Sequence, residues 1–439
     1  MNKINMVICT FLAAGIMPLI AENEPAQQEP LTLEHALTLA DRQAPQIQIA
    51  NQQVYIARGQ ITEVRAAALP QIGVKLHYTR LDDIPTMQFG DTPITMGRRN
   101  NYDAIAEVQQ LLYAGGGVRA AQELAREYEA AARAQVEQIR IRTAYQVHQA
   151  FYHVLRAQAH VNVAQEAYQL AQRNHEIVAH KEAQGISTPF DRVRAESLRS
   201  QRHAESIAAQ NLKQNAYLAL YRILNLPLDT NRQITGDLHI DLPAMAEGDL
   251  LALARKHRPD LAAARYAIAI EREATKIARS GAKPTVAAFG RYQQSNPNTA
   301  FEDEWEDEWM IGIRAEIPIF QGGRTHGKVN QAQASLQQAQ LRYEDLQAQT
   351  KLEIAQARTD LVTAERLREA EAAFVAESRE ALRLATRAYE EGLQEQIDVL
   401  SAQVALADSQ RRLADAAYNR MMAFRALELA TGTLLQHQK

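Results

Sequence analysis

The chain contains one hairpin sequence twice, at residues 185–195 and again at residues 392–402. Each copy begins with a glycine, Gly185 or Gly392, and residues 328–391, just before the second copy, contain no glycine or proline. Glycine commonly ends a helix because it enters the left-handed C′ conformation at little cost. The sequence therefore predicts two very long helices, each of which ends at one of these glycines and turns back into another helix.

The duplication extends well beyond the hairpins. Residues 36–78 match residues 250–292 at 11 of 43 positions, and the glycine pairs at 115–116 and 322–323 follow in the same order. Landmarks that keep their order in both halves indicate an internal repeat rather than chance similarity. The predicted units are a signal peptide over residues 1–21, a first repeat over residues 22–230 and a second repeat over residues 231–439.

Composition and charge exclude several classes of protein. A formal net charge of −4 does not favour binding to nucleic acid. Residues 1–21 match a secretory signal, with Lys3 before an apolar run, and the shortness of that run disfavours the alternative of a membrane anchor. The only cysteine is Cys9, so the predicted mature chain has no disulfide, thiol nucleophile or thiolate metal site.

Each repeat is predicted to begin with one helix, over residues 32–67 or 247–279, and to continue with two strands. The predicted strands lie at about 72–80 and 102–113 in the first repeat, and at about 284–293 and 308–320 in the second. Apolar and polar residues alternate along them, which puts the two sets on opposite faces. The apolar set includes Ile72, Val74, Ile311 and Ile313; the polar set includes Lys75, Glu107, Arg314 and Glu316.

Strands of about 9–11 residues with this alternation suit a transmembrane barrel with lipid outside and a polar lumen. The alternative, an amphipathic sheet on a soluble domain, is equally compatible with the strands alone. In the barrel interpretation, Lys75, Glu107, Arg314 and Glu316 line the lumen. Four strands are too few to close a barrel, and open edges cannot face lipid, so a membrane role would require several chains.

Motifs that could carry chemistry have simpler structural explanations. The glycines at 115–117 precede a helix but lack the Lys-Ser/Thr of a P-loop, which indicates a sharp corner. His148 and His153 are five residues apart, a spacing that does not suit a helical metal pair. The acidic run at 302–308 predicts a solvated outer loop. No group of residues indicates a catalytic site, so we expect no enzyme activity, no cofactor and no metal.

Together these features resemble the TolC-type outer-membrane efflux proteins. The segments that carry the resemblance are Phe-Gln-Gly-Gly-Arg at 320–324, Tyr-Glu-Glu-Gly at 389–392, Ile-Asp-Val-Leu-Ser-Ala at 397–402 and Ala-Leu-Glu-Leu-Ala-Thr-Gly at 426–432. The resemblance implies a mainly α fold with a small β part. In it, a homotrimer forms a 12-stranded outer-membrane β-barrel that continues as an α-helical tunnel in the periplasm.

The resemblance also implies a passive exit duct in a tripartite efflux or type I secretion system, located in the cell outer membrane and surrounded by its lipid. The expected partners are a periplasmic membrane-fusion adaptor and an inner-membrane transporter of the RND, ABC or MFS type. The exported substrate stays open, because the transporter selects it. A hypothesis of another class is a secreted trimeric helical protein with a structural or adhesive role and no pore, which would not need lipid-facing strands.

For the pore, the resemblance implies that Asp398 forms a carboxylate ring at the constriction of the tunnel. Family members of the best-known kind carry a second acid three residues later, where this chain has Ser401. The residues alone allow a plainer interpretation. Asp191 and Asp398 fall in the first turn of a helix, where the macrodipole stabilises an acid without any function.

For the tip of the tunnel, the resemblance implies a hydrogen-bonding network that includes Asp191, Tyr389 and Gln394. The family has an arginine at the position of Gln394, so an arginine-based lock is not expected here. The hairpin turns at Gly185 and Gly392 are the expected docking points of the adaptor.

Overall fold

A computed structural model of the chain describes residues 30–84, 86–90, 92–230, 232–238, 240, 242 and 248–436. The predicted signal peptide lies outside these residues. The helices are α1 (Leu33–Gln43), α2 (Pro45–Ala66), α3 (Gly117–Ala183), α4 (Pro189–Ile223), α5 (Leu250–His257), α6 (Pro259–Ser280), α7 (Arg324–Glu390) and α8 (Gln396–Thr431). The strands are β1 (Gln71–Arg80), β2 (Thr86–Phe89), β3 (Thr92–Thr95), β4 (Asn100–Ala114), β5 (Thr285–Asn296) and β6 (Glu306–Glu316).

Each half of the chain follows the same order: two short helices, a pair of long strands, one very long helix and a shorter helix. The prediction of a single first helix in each repeat was wrong, because α1 and α2 are separated at Ala44 and α5 and α6 at Arg258. A proline follows each of these residues, and proline pushes the preceding residue out of the helical conformation. Both Ala44 and Arg258 are accordingly extended.

Two further differences concern the strands. The last strand ends at Glu316 rather than near residue 320, and Pro318, which lacks a backbone N–H, lies just beyond its end. The region between β1 and β4, expected to be a loop, contains the small hairpin β2–β3. A glycine, Gly90, with φ of +62° lies in its turn, and such turns require a positive φ.

The long helices set the dimensions of the molecule. α3 and α7 contain 67 residues each, which corresponds to about 100 Å at 1.5 Å per residue. Each begins after a glycine in the left-handed conformation, Gly116 or Gly323, which makes the corner between strand and helix. The strands therefore lie at one end of the long helices and the hairpin turns at the other.

The four long strands form one antiparallel sheet in the order β1-β4-β5-β6, which leaves β1 and β6 at its edges. Residues paired across antiparallel strands share a face. One row across the sheet is Ile72–Val108–Gly290–Ile311, and the next row, on the other face, is Gly73–Glu107–Arg291–Met310. The predicted apolar and polar sets thus fall on opposite faces. The apolar face is open, with Ile72 and Ile311 both 79% exposed.

The helices pack side by side in a fixed order. Near the sheet, α3 contacts α2 and α6, and α6 contacts α7, so the order is α2-α3-α6-α7. Toward the turns, α3 contacts α4 and α8, and α8 contacts α7, so the order is α4-α3-α8-α7. The long helix of the first repeat therefore lies inside this layer, and the long helix of the second repeat lies at its border.

The largest hydrophobic cluster lies midway along the long helices, far from both the sheet and the turns. It joins α1, α3, α4 and α8, and its most buried side chains are Phe151, Tyr152, Leu220, Leu224, Met421 and Leu434. Small residues such as Ala144, Ala216 and Ala417 are buried beside them and allow the helices to approach closely. In the part of the chain that the structure describes, no helix is long and apolar enough to cross a membrane.

The faces of the sheet give a first testable prediction. Replacing Ile311 with arginine places a charge on the apolar face, which would cost about 2–4 kcal/mol at the middle of a bilayer. We expect Ile311→Arg to lower the yield of folded protein in the outer-membrane fraction. Met310→Arg is the matched control, because Met310 is adjacent but lies on the polar face. A loss of yield for Met310→Arg alone would reverse the assignment of the faces.

Candidate functional site: the hairpin tips

Both hairpin turns are made by glycine in the left-handed conformation, as predicted from the sequence. Gly185 and Gly392 each have a φ of +75°, a value that favours glycine because it lacks a Cβ. The N–H of Ile186 bonds the Lys181 carbonyl, and the N–H of Leu393 bonds the Ala388 carbonyl, which closes both helix ends in the same way. The two tips are therefore equivalent in their backbone turns.

The first tip is fixed by a capping box at the start of α4. The N–H of Asp191 donates to Thr188 Oγ1 at 3.2 Å, and the N–H of Thr188 donates to the Asp191 carboxylate at 3.1 Å. The Thr188 hydroxyl donates to the same carboxylate at 2.7 Å, and this bond, chiefly, holds the pKa of Asp191 below its usual value. Asp191 thus has a local structural role at the start of α4, through capping hydrogen bonds to Thr188.

The second tip lacks such a cap. Glu395 occupies the N-cap position of α8 without a side-chain hydrogen bond to the helix. Asp398 lies in the first turn and is exposed, and its N–H donates to the Glu395 carbonyl at 3.2 Å. Gln394 is also exposed, while the hydroxyl of Ser401 donates to the Ile397 carbonyl at 2.7 Å. Asp398 is therefore free to face a space outside its own chain.

Tyr389, at the end of α7, connects the second tip to the first. Its ring lies 3.9 Å from Lys181 Nζ, a cation–π contact, and its side chain hydrogen-bonds that of Ser187. Burial between the two tips raises the pKa of Tyr389, and the nearby charge of Asp191 adds to this effect. Tyr389 thus contacts Lys181 and Ser187 of the first tip and lies near the charge of Asp191, and the network predicted for Asp191, Tyr389 and Gln394 stays a prediction.

A groove of about 650 Å³ runs between α4 and α8 next to the tips. Its lining is mostly apolar, and Phe190 and Val193 remain 65% and 54% exposed. The lining residues are Phe190, Val193, Arg194, Ser197, Leu198, Gln201, Ile397, Leu400, Ser401 and Val404. Exposed apolar surface in a groove of this kind is typical of a surface that binds another molecule.

The predicted lumen residues lie at the opposite end of the molecule, on the polar face of the sheet. Lys75 Nζ lies 2.7 Å from the Glu107 carboxylate, and the guanidinium of Arg314 lies 5.4 Å from the centre of the Phe289 ring. Glu316 is at the end of β6, opposite Thr285. These four residues therefore do not form one site with the tips, and their assignment to a lumen stays a prediction.

Sequence reasoning missed several residues of the tips, namely Ser187, Lys181 and the apolar lining of the groove. The spacing of Phe190 and Val193 on α4, and of Ile397, Leu400 and Val404 on α8, could have indicated an apolar stripe on each helix. Within the described residues, no group of three or more histidine, cysteine or acidic side chains could hold a metal ion.

Comparison with known proteins decides the family. The profile of the outer membrane efflux protein family matches residues 36–226 and 250–433, one match for each repeat. The chain belongs to the outer membrane efflux protein family. This finding confirms the resemblance drawn from the hairpin and glycine motifs.

Individual relatives agree with this assignment. The efflux protein is 26% identical over 304 residues to the outer membrane protein TolC of Vibrio cholerae, covering 66% of this chain and 67% of that one. It is 24% identical to the alkaline protease secretion protein AprF of Pseudomonas aeruginosa, covering 63% of this chain and 57% of the relative. The matched region thus spans 67% of the length of the first relative and 57% of the length of the second.

The fold is established by similarity to solved structures. The crystal structure of the outer membrane protein VceC of Vibrio cholerae superposes with a TM-score of 0.77 at 22% sequence identity, over 91% of this chain and 96% of that one. CmeC of Campylobacter jejuni, an outer membrane channel, gives 0.80 at 17% identity. The predicted fold class, mainly helical with four long antiparallel strands, is therefore confirmed.

The efflux protein is accordingly an outer-membrane channel of the tripartite efflux or type I secretion class. The family consists of channels without enzyme activity, in agreement with the expectation from the sequence. Its location is the cell outer membrane. Of the two hypotheses, the efflux channel is confirmed, and the secreted structural protein without a pore is wrong.

The difference between the tips can be tested at Thr188. Replacing an N-cap threonine by alanine costs about 1 kcal/mol, which corresponds to an about fivefold larger equilibrium constant for local opening. We expect Thr188→Ala to raise hydrogen exchange about fivefold in the peptide around residues 186–195, measured by mass spectrometry. Thr359→Ala, in the middle of α7, is the control and should leave that peptide unchanged. Equal exchange in both variants would show that the capping box does not fix this tip.

Proposed function

We propose that the channel is a homotrimer that serves as the passive exit duct of a tripartite export system. Three chains contribute four strands each to one 12-stranded barrel in the outer membrane, and their helices form a tunnel through the periplasm. The tunnel is closed at the hairpin tips, where a periplasmic adaptor docks, and an inner-membrane transporter selects and drives the cargo. The transporter can be of the RND, ABC or MFS type.

The observation that carries the proposal is that, in the part of the chain that the structure describes, unpaired edges lie on the same two sides from the sheet to the hairpin turns. At the sheet, β1 and β6 each lack a second neighbouring strand. Along the helices, α2 and α4 pack chiefly on α3 at one border, and α7 forms the other. Exposed apolar side chains mark both borders: Tyr55 and Ile56 on α2, Ile207 and Leu212 on α4, and Leu352 and Leu367 on α7.

The contacts between the two repeats indicate how the borders of neighbouring chains would pack together. Within one chain, α3 of the first repeat packs against α6 and α8 of the second, and β4 pairs with β5. The equivalent contacts between chains join α7 of one protomer to α2 and α4 of the next, and β6 to β1. All unpaired edges then find partners, as lipid requires of a sheet. Closed, point-group assemblies are the usual outcome of such repeating contacts.

The closing of the tunnel depends on the second tip. Three copies of Asp398 around the symmetry axis would place three carboxylates on the lumen side of the constriction. A ring of like charges in a narrow opening attracts cations and concentrates them. Tyr389 of the second hairpin contacts Lys181 and Ser187 of the first, so breaking these contacts would release the second hairpin outward.

The adaptor is proposed to dock at the tips, because they are the ends of the long helices furthest from the sheet. The groove beside them presents apolar side chains on α4 and α8 and suits a helical hairpin with an apolar ridge. Gly185 and Gly392 leave the backbone of both turns uncovered. An adaptor bound in this groove would lie close to the contacts of Tyr389 and could therefore break them.

Cross-linking tests the docking site. In a Cys9→Ala background, single cysteines at Gln184 and Gln394 are labelled with benzophenone-maleimide in cells that contain the complete export system. We expect both labels to yield a cross-linked band in which mass spectrometry identifies the adaptor. Glu304→Cys, in the loop at the opposite end, is the control and should give no adaptor. Adaptor recovered from Glu304→Cys alone would contradict the proposal.

The role of Asp398 is tested by planar-bilayer recordings. Asp398→Asn should reduce cation selectivity and raise the concentration of divalent cation needed for half-block by about tenfold, because the charge that concentrates cations is lost. Tyr389→Phe serves as the matched control: loss of the hydroxyl bond to Ser187 should raise conductance and leave selectivity unchanged. Unchanged selectivity and block in Asp398→Asn would mean that Asp398 is only a helix-terminus acid.

A further inference from the structure

The two strand pairs that belong to each repeat share one register. Gln71 faces Gln109 in β1–β4, and Thr285 faces Glu316 in β5–β6. The repeats align through Pro70 with Pro284 and through the left-handed glycines at 115–116 with those at 322–323. In that alignment Gln71 is equivalent to Thr285, and Gln109 is equivalent to Glu316. The duplicated sequence therefore reproduces strand pairing residue for residue.

The contact between the repeats can then be transferred to the contact between chains. Inside the chain, β4 and β5 pair with Gln109 opposite Phe289. Glu316 is the equivalent of Gln109, and Lys75 is the equivalent of Phe289. We propose that β6 of one protomer pairs with β1 of the next in the register that places Glu316 opposite Lys75, forming an ion pair across each seam of the barrel. This inference rests on the trimer proposed above.

The charges on the polar face support this register. Lys75 lies on the edge strand, its side chain is 57% exposed, and it contacts Glu107 on its inner side only. Glu316 from the next protomer would lie on its open side, so that the ammonium group would be flanked by two carboxylates. Opposite charges directly across a strand pair stabilise it.

Other registers are less favourable. A slip of two residues in one direction would place Arg314 opposite Lys75, and like charges in facing positions are destabilising. In the other direction it would place Pro318, which lies beyond the end of β6 and has no backbone N–H, opposite Lys75. A slip of one residue would turn Lys75 and Glu316 toward opposite faces of the barrel, and one of the charges would then face lipid. The repeat alignment and the charges thus select the same pairing, although they are independent observations.

The apolar face agrees with the same pairing. It places Ile313 opposite Tyr78 and Ile311 opposite Arg80 of the next protomer. The ring of Tyr78 lies 5.0 Å from that of Tyr102 within the chain, so this end of the sheet carries the aromatic residues that favour the membrane–water interface. Arg80, the last residue of β1, would lie at the level of the lipid headgroups, where a cation is tolerated.

Disulfide formation between chains tests the register. In a Cys9→Ala background, the double variant Lys75→Cys/Glu316→Cys is oxidised in isolated outer membranes and analysed on non-reducing gels. Facing residues have Cα atoms about 4.5–5.5 Å apart, a distance that a disulfide can bridge. We expect covalent trimers, at least about fivefold more abundant than in Lys75→Cys/Arg314→Cys, whose cysteines are displaced by two residues.

A second pair keeps the charges intact. Tyr78→Cys/Ile313→Cys tests the same register on the apolar face, with Tyr78→Cys/Ile311→Cys as its displaced control. Preferential cross-linking of the displaced pairs, or of none while native mass measurement finds three chains, would overturn the register but leave the trimer standing. A native mass other than three chains would overturn the trimer and, with it, this seam.

Discussion

The backbone hydrogen bonds at the edges of the sheet constrain the rest of the structure. β1 and β6 each present a row of backbone groups with no neighbouring strand, on a sheet whose apolar face is open. In lipid, such groups must be paired within the protein. A four-stranded sheet cannot curl enough to pair its own edges, so a closed barrel requires further strands, which the proposed trimer takes from two other copies of the chain. The helices α2, α4 and α7 satisfy their own backbone hydrogen bonds, but they form the corresponding borders of the helical layer and carry exposed apolar side chains there.

The internal duplication makes this requirement simple to meet. Because the two repeats have the same strand register and the same order of helices, the contact between repeats is the pattern that we propose for the contact between chains. If each chain makes this same contact with the next one, a closed ring forms from a single type of interface. Among the described residues the two repeats differ in two places: only the first has the hairpin β2–β3 between its long strands, and the side-chain support of the tips is not the same.

The tips combine a common backbone turn with different side-chain support. The capping box of Thr188 and Asp191 fixes the start of α4, whereas the start of α8 has no side-chain cap and carries the exposed Asp398. Tyr389 connects the less supported tip to the better supported one. This arrangement suits a closure in which the first hairpin is held in place and the second is held to it. The tunnel could then open when only the few contacts of Tyr389 with the first hairpin are broken.

The sequence by itself determined the repeats, the long helices, the turns at Gly185 and Gly392 and the two faces of the strands. Each follows from a local rule: helix breakers, left-handed glycine or a period of two. The prediction of a single first helix in each repeat was wrong for a local reason too. Pro45 and Pro259 each interrupt a sequence that is otherwise helical. Only the tertiary structure decided that β4 pairs with β5, that Tyr389 reaches Ser187 and Lys181, and that a groove opens between α4 and α8. These contacts join residues distant in sequence, and their geometry depends on how whole helices pack, which no local pattern contains.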